Sequence, residues 1–84
     1  MAYFIYILES EVDGSYYVGH TADLVKRIAR HNEGGGRYTR GKLPWTLIYH
    51  EVFDSRGEAM KRERGIKKRK DRDYINELVR TLLS

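Results

Sequence analysis

Glu63 shares one helical stripe with Ala59 and Ile66, at i, i+4 and i+7, with Met60 beside them. A carboxylate on such a core-facing stripe must be paired, protonated or bound to a metal, because an isolated buried charge is strongly unfavourable. An ion pair with Arg62, Lys67 or Arg27 would satisfy Glu63 as well as a cation would. A second stripe, at about 100° per residue, carries Leu24, Arg27, Ile28 and His31. If Leu24 and Ile28 face the core, Arg27 and His31 need acceptors, and a phosphate would serve. The alternative is an arginine stem that packs while its head reaches solvent, beside a histidine satisfied by a backbone carbonyl. Upstream, Tyr6 and Tyr17 stand in two strand-like runs that fold back on each other.

Two phenols, a guanidinium, an imidazole and a carboxylate suit the hydrolysis of a phosphodiester. A hard divalent cation needs only one or two carboxylates and fills its remaining positions with water and substrate phosphate, which Glu63 could support. An arginine such as Arg27 can brace the phosphate as charge grows in the transition state. A tyrosine beside a metal and basic groups, Tyr17 or Tyr6, is expected to have its pKa lowered enough to take a proton from the attacking water.

These side chains depend on a few short elements. Tyr3 to Leu8 is a continuous apolar and aromatic run, which predicts a central strand covered on both faces. Asp13-Gly14 supplies a turn, and Ser15 to Gly19 resumes in strand formers, so the runs pair as an antiparallel hairpin. Thr21 or Asp23 caps a helix to about His31 or Asn32, and Gly34-Gly35-Gly36 ends it. Trp45 to Phe53 reads as a third strand, opened by Pro44. Ser55 with Glu58 forms a capping box for a second helix, which Gly65 is expected to weaken, and Asp71 to Asp73 restarts the chain into a last helix. Tyr74, Ile75, Leu78, Val79 and Leu82 recur there at helical spacing. The fold class is therefore α+β, a small three-stranded antiparallel sheet flanked by helices in the order ββαβαα, with residues 1–84 as one domain.

The 84 residues include no cysteine, which excludes disulfides, thiol chemistry and cysteine metal sites and favours a cytoplasmic setting. No signal peptide or membrane span is legible, so no membrane association is expected. The net charge is +4, but Lys61 to Arg72 alone holds eight basic and two acidic residues, a local +6 that leaves the remainder at −2. Such a cluster attracts a phosphate backbone, or it is a solvated face held by salt bridges. Its candidate nucleic-acid contacts are Lys61, Arg64, Lys67, Lys68, Arg69 and Lys70, joined by Arg37, Arg40 and Lys42 in the connection before the third strand.

Phe4-Ile5-Tyr6 and Tyr17-Val18-Gly19 resemble the paired motifs that name the GIY-YIG nucleases. Thr21-Ala22-Asp23-Leu24 followed by Arg27 and His31 resembles that family's helix, and Glu58-Ala59 leading to Glu63 and Lys67 resembles its metal-binding region. The motifs span residues 4 to 67, and the tail resembles the short single-domain bacterial members. Phe4 stands where the first motif has glycine, and Gly65 lies in the helix that must hold Glu63.

The resemblance implies a one-metal hydrolysis, with magnesium or manganese, that cuts one strand of DNA. By it Tyr17 is the leading general base and Tyr6 the next, and His20 takes the place of a lysine that assists the tyrosine in some members. Arg27 would stabilise the phosphate, His31 would contact phosphate or leaving group, and Glu63 would bind the ion. The expected protein is a divalent-metal-dependent endonuclease acting on DNA, with RNA as a further substrate class and with repair or recombination as its setting. The alternative is a nucleic-acid-binding module that keeps the fold without useful catalysis; a third reading is a protein-interaction domain. Specificity would come from the basic cluster, the Arg37 to Lys42 loop, a homodimer or a protein partner.

Overall fold

The apolar run at the start of the chain forms β1 (Tyr3–Ser10), and the sheet is built around it. The structure, a computed structural model, describes residues 2–35 and 39–83. β2 (Tyr16–Thr21) and β3 (Trp45–Phe53) flank β1 in the order β2-β1-β3, both antiparallel to it. The Asp13-Gly14 turn closes the hairpin: Gly14 takes a positive φ of 75°, and the Asp13 carboxylate accepts from the Ser15 amide at 2.9 Å.

Because β1 is central, its two alternating sets of side chains meet different partners. Ile5 and Ile7 pack with Val18, Tyr49, Ala59, Ile66 and Ile75 under α2 (Arg56–Lys68) and α3 (Arg72–Leu83). Tyr6 and Leu8 pack with Trp45, Tyr17, Leu24 and Ile28 under α1 (Leu24–Asn32). A register shift between Ile7 and Leu8 lets β3 serve both faces, since Tyr49 pairs with Ile7 while Leu47 pairs with Leu8.

The expected helix signals operate. Asp23 caps α1 by accepting from Lys26 N at 3.0 Å, and Gly34, with φ of 83°, follows its end. Ser55 caps α2 through Glu58 N at 3.2 Å, and Asp71 accepts from Tyr74 N at 2.8 Å to open α3. α2 runs unbroken through Gly65, held by the fully buried Ala59 and Ile66 on either side, so tertiary packing outweighs the glycine's poor propensity. The connection from α1 to β3 contains a short 3-10 turn, Arg40–Lys42, that the sequence pattern did not indicate. Asn32 fastens that connection by donating to Trp45 O at 3.1 Å and accepting from Trp45 N at 2.7 Å.

Candidate active site

The candidate residues form two groups, one on each face of the sheet, that approach each other at the β2 edge. Strand alternation decides the assignment: Tyr17 and Gly19 share a face with Tyr6 and α1, whereas Val18 and His20 share the other with Ile5 and α2.

On the α1 face, Tyr6 is 1% exposed, and its hydroxyl lies 3.0 Å from His31 Nε2. The Tyr6 and Tyr17 rings have centroids 6.2 Å apart, and Tyr17 covers His31 at 4.8 Å in a tilted arrangement. Gly19, paired with Tyr6, makes this possible: a Cβ there would stand 2.6 Å from the Tyr6 hydroxyl oxygen. The glycine of the Tyr17-Val18-Gly19 motif is thus a space for the phenol of the neighbouring strand. Arg27 is exposed at the rim of this group, with its guanidinium close enough to act on Tyr6 through charge and hydrogen bonding. Leu24 and Ile28 pack inward while Arg27 and His31 supply the polar part of the stripe.

On the α2 face, Glu63 extends between His20 and Lys67. Its Oε1 is 2.5 Å from His20 Nδ1, and its Oε2 is 2.6 Å from Lys67 Nζ. Burial alone would raise the Glu63 pKa, but Lys67 and His20 outweigh it and hold the carboxyl below its usual range. Glu63 therefore carries a negative charge at neutral pH, and its field reaches Tyr6 around the β2 edge.

The chain's own groups do not by themselves lower the Tyr6 pKa. Burial raises its pKa far above the usual phenol range, with Tyr17 and Glu63 adding to the effect and Arg27 opposing it. The chain's own groups keep Tyr6 protonated, because removing its hydrogen would leave a poorly solvated anion near a carboxylate. His31 moves in the opposite sense, with burial, Arg27 and Arg30 lowering its pKa, so the imidazole is neutral.

Among the described residues no group of three or more histidine, cysteine, aspartate or glutamate side chains gathers to enclose a metal. Glu63 alone fits a different kind of site, in which a hard cation takes one ionised carboxylate and is otherwise coordinated by water and substrate phosphate. Lys67, half exposed, pairs with that carboxylate from the solvent side.

The GIY-YIG catalytic domain matches residues 2–76 of this sequence. The chain belongs to the GIY-YIG family. It is 52% identical over 64 residues to a UPF0213 protein of Halobacterium salinarum, covering 75% of this chain and 82% of the relative. It is 53% identical over 70 residues to one of Streptococcus pyogenes, covering 82% of this chain and 75% of the relative. The solution NMR structure of a UPF0213 protein from Bacillus halodurans superposes with a TM-score of 0.59 at 40% identity, covering 96% of this chain and 85% of that one.

The basic residues of this GIY-YIG chain divide by what they touch. Lys61, Arg64, Lys67 and Lys68 line an open hollow of about 610 Å³ on the outer side of α2, where Gly65 adds no side chain. Lys70 and Arg72 instead fasten the start of α3 to the hairpin, and Arg69 ties the end of α2 to α3. The Arg69 guanidinium lies 4.4 Å from the Tyr74 ring centroid, Lys70 donates to Tyr16 O at 2.8 Å, and Arg72 reaches the Tyr16 hydroxyl at 3.3 Å. Lys42 is drawn to Asp13 at 3.2 Å and Ser15 at 3.0 Å, while Arg40 is exposed on the 3-10 turn. Arg37 lies outside the described residues. A second hollow, of about 520 Å³, is lined by Arg27 together with Thr21, Asp23, Lys26, Arg30 and Glu33.

Thr39 is the site residue that the sequence reading missed. It is 1% exposed, its hydroxyl lies 3.0 Å from His31 Nδ1, and its carbonyl accepts from Trp45 Nε1 at 2.8 Å. Lying between a glycine run and a proline, it belongs to no periodic stripe that would reveal an inward-facing side chain.

Proposed function

We propose that this protein is a metal-dependent endonuclease that hydrolyses DNA phosphodiesters at the β2 edge of its sheet. The observation that carries this reading is the Tyr6 hydroxyl, bonded to a neutral His31 and under the influence of both Arg27 and Glu63. Magnesium or manganese, held through Glu63, would supply positive charge that polarises the scissile phosphate.

The chain's own groups do the rest. Arg27, exposed and cationic, grips the phosphate and meets its growing charge. Tyr6 is a buried protonated phenol, so it acts as a base only by passing its own hydrogen on as it receives one from the attacking water. His31 Nε2 is placed to receive that hydrogen. This chain of contacts favours Tyr6 as the base over Tyr17, which the family resemblance alone places first; Tyr17 covers the imidazole and walls the phenol. His20 holds the Glu63 carboxylate in position. Lys61, Arg64, Lys67 and Lys68 attract the flanking phosphates, and binding through them should weaken steeply with salt. The setting proposed for this activity is nucleic-acid repair or recombination in the cytoplasm.

Supercoiled plasmid and a branched DNA substrate test this reading. Nicking or cutting should appear with magnesium or manganese, stop with chelator, and fall by roughly 10²–10³ in folded Arg27→Ala protein. Glu63→Gln should be equally impaired; equal cutting by that variant and the unaltered protein would sink the reading.

One observation favours a second reading. Both Glu63 oxygens are already engaged, by His20 and by Lys67, as they would be in a binding module whose carboxylate is structural. Salt-sensitive DNA binding without cutting, across both metals and both substrates, would establish that alternative.

A further inference from the structure

The Tyr6–His31 contact admits two proton arrangements, and the surroundings distinguish them. In the first, Tyr6 donates to Nε2 and the ring hydrogen sits on Nδ1. In the second, Nε2–H donates to Tyr6 and Nδ1 is bare. Arg27 is a donor only, and its guanidinium acts on the Tyr6 oxygen. With Arg27 donating to the phenol oxygen, donation to His31 Nε2, 3.0 Å away, gives the phenol hydrogen an acceptor that the second arrangement withholds. A neutral imidazole that accepts at Nε2 carries its hydrogen at Nδ1, and the atom facing Nδ1 is Thr39 Oγ1, also at 3.0 Å.

We propose that Thr39 is a positioning residue: its hydroxyl accepts from His31 Nδ1–H and so fixes the tautomer whose Nε2 is open to the Tyr6 proton. The placement of Thr39 supports this role. Its carbonyl is anchored by the Trp45 indole, Trp45 is clamped by Asn32 at the end of the helix that carries His31, and the threonine is sealed from water. The ionisable groups facing the imidazole are Tyr6 from β1, Tyr17 from β2, and Arg27 and Arg30 from α1. The arginines are donors only, so neither takes the Nδ1 hydrogen in place of Thr39. Thr39 follows Asn32 by seven positions in the sequence, and it is buried against the His31 ring of α1.

This inference deepens the proposed chemistry and rests on it for its catalytic consequence, but the tautomer itself can be read without any reaction. Long-range proton–nitrogen NMR spectra of the histidine rings distinguish a hydrogen-bearing from a bare ring nitrogen. The unaltered protein should show His31 with Nδ1 protonated and Nε2 bare. Thr39→Val should shift the ring toward the Nε2–H form, and Thr39→Ser should restore it. A His31 that carries its hydrogen on Nε2 in the unaltered protein, or a Thr39→Val protein with the original tautomer, overturns the proposal. On DNA, Thr39→Val should lower kcat by roughly 10–100-fold, the range typical of groups that orient a functional histidine, with KM little changed and with rescue by Thr39→Ser. A shifted tautomer with undiminished kcat would overturn the positioning role. If the unaltered protein cuts nothing, the nuclease reading fails while the NMR result still decides the tautomer.

Discussion

The two faces of β1 are buried to the same degree and serve different ends. Ile5 and Ile7 on one face and Tyr6 and Leu8 on the other are all 0–1% exposed. Under α2 and α3 the centre is aliphatic, with Ile5, Ile7, Val18, Ile66 and Ile75, and the phenols of Tyr16 and Tyr49 lie within the same cluster. Under α1 the rings of Tyr6, Tyr17 and Trp45 pack with Leu8, Leu24 and Ile28, and the buried His31 and Thr39 find partners within that layer. Polar atoms sealed from water must be hydrogen-bonded, and among the described residues none of the buried side-chain polar atoms lacks a partner. A layer satisfied atom by atom fixes proton positions as well as side-chain positions, which an aliphatic layer cannot do. On the proposed reading one face supplies mainly cohesion and the other a proton path, and Gly19 on the edge strand leaves room for the Tyr6 hydroxyl.

The sharpest test of that division is a pair of substitutions. Tyr6→Phe keeps the ring and should reduce cutting by roughly 10²–10⁴, the usual worth of a general base. Ile66→Ala should instead lower the unfolding free energy by about 2–5 kcal/mol in urea titrations, while the molecules that remain folded cut at near-normal rates. If the two variants lose activity in parallel with stability, the faces are not functionally distinct.

Gly19→Ala should come next, because its methyl would overlap the Tyr6 hydroxyl and ring. Displacing Tyr6 should destabilise the fold by about 1–3 kcal/mol and also abolish cutting. An active and stable Gly19→Ala protein would show that Tyr6 need not lie over the edge strand.

The smallest effect is on acid stability. His31 has a folded-state pKa below its ordinary 6.5, so its contribution is present above about pH 6.5. It is lost as the pH falls from there toward the folded value, since the unfolded chain binds the proton first. Urea midpoints should therefore decline on acidification, and His31→Gln should flatten that decline. An unchanged slope in the variant would assign the acid sensitivity elsewhere.

The sequence revealed the fold better than the proton chemistry, for physical reasons. β3 occupies the predicted 45–53, and Ser55 caps α2 where its side chain and Glu58 suggest, because strand patterning and caps are local signals. β1 extends two residues beyond its apolar run because Ser10 is held by Ser15 O and by Lys42 O, partners distant in sequence or lying across the hairpin. The polar members of the two stripes marked Arg27, His31 and Glu63 from their spacing. That Glu63 joins His20 on one face while Tyr6 and Tyr17 lie on the other follows from strand alternation combined with helix packing, which the stripes alone do not contain. The raised pKa of Tyr6 depends on how deeply three-dimensional packing buries it, so its direction was not legible from neighbouring residue types.

Glu63 and the Tyr6 phenol are proposed to serve one site around the edge of β2. Manganese titrated into isotopically labelled protein tests it directly, because the ion broadens resonances of nearby nuclei. Joint broadening of Glu63, Gly19 and Tyr6 signals is expected at low manganese and should be absent in Glu63→Gln. Broadening that skips Gly19 and Tyr6, or that persists unchanged in Glu63→Gln, would contradict it.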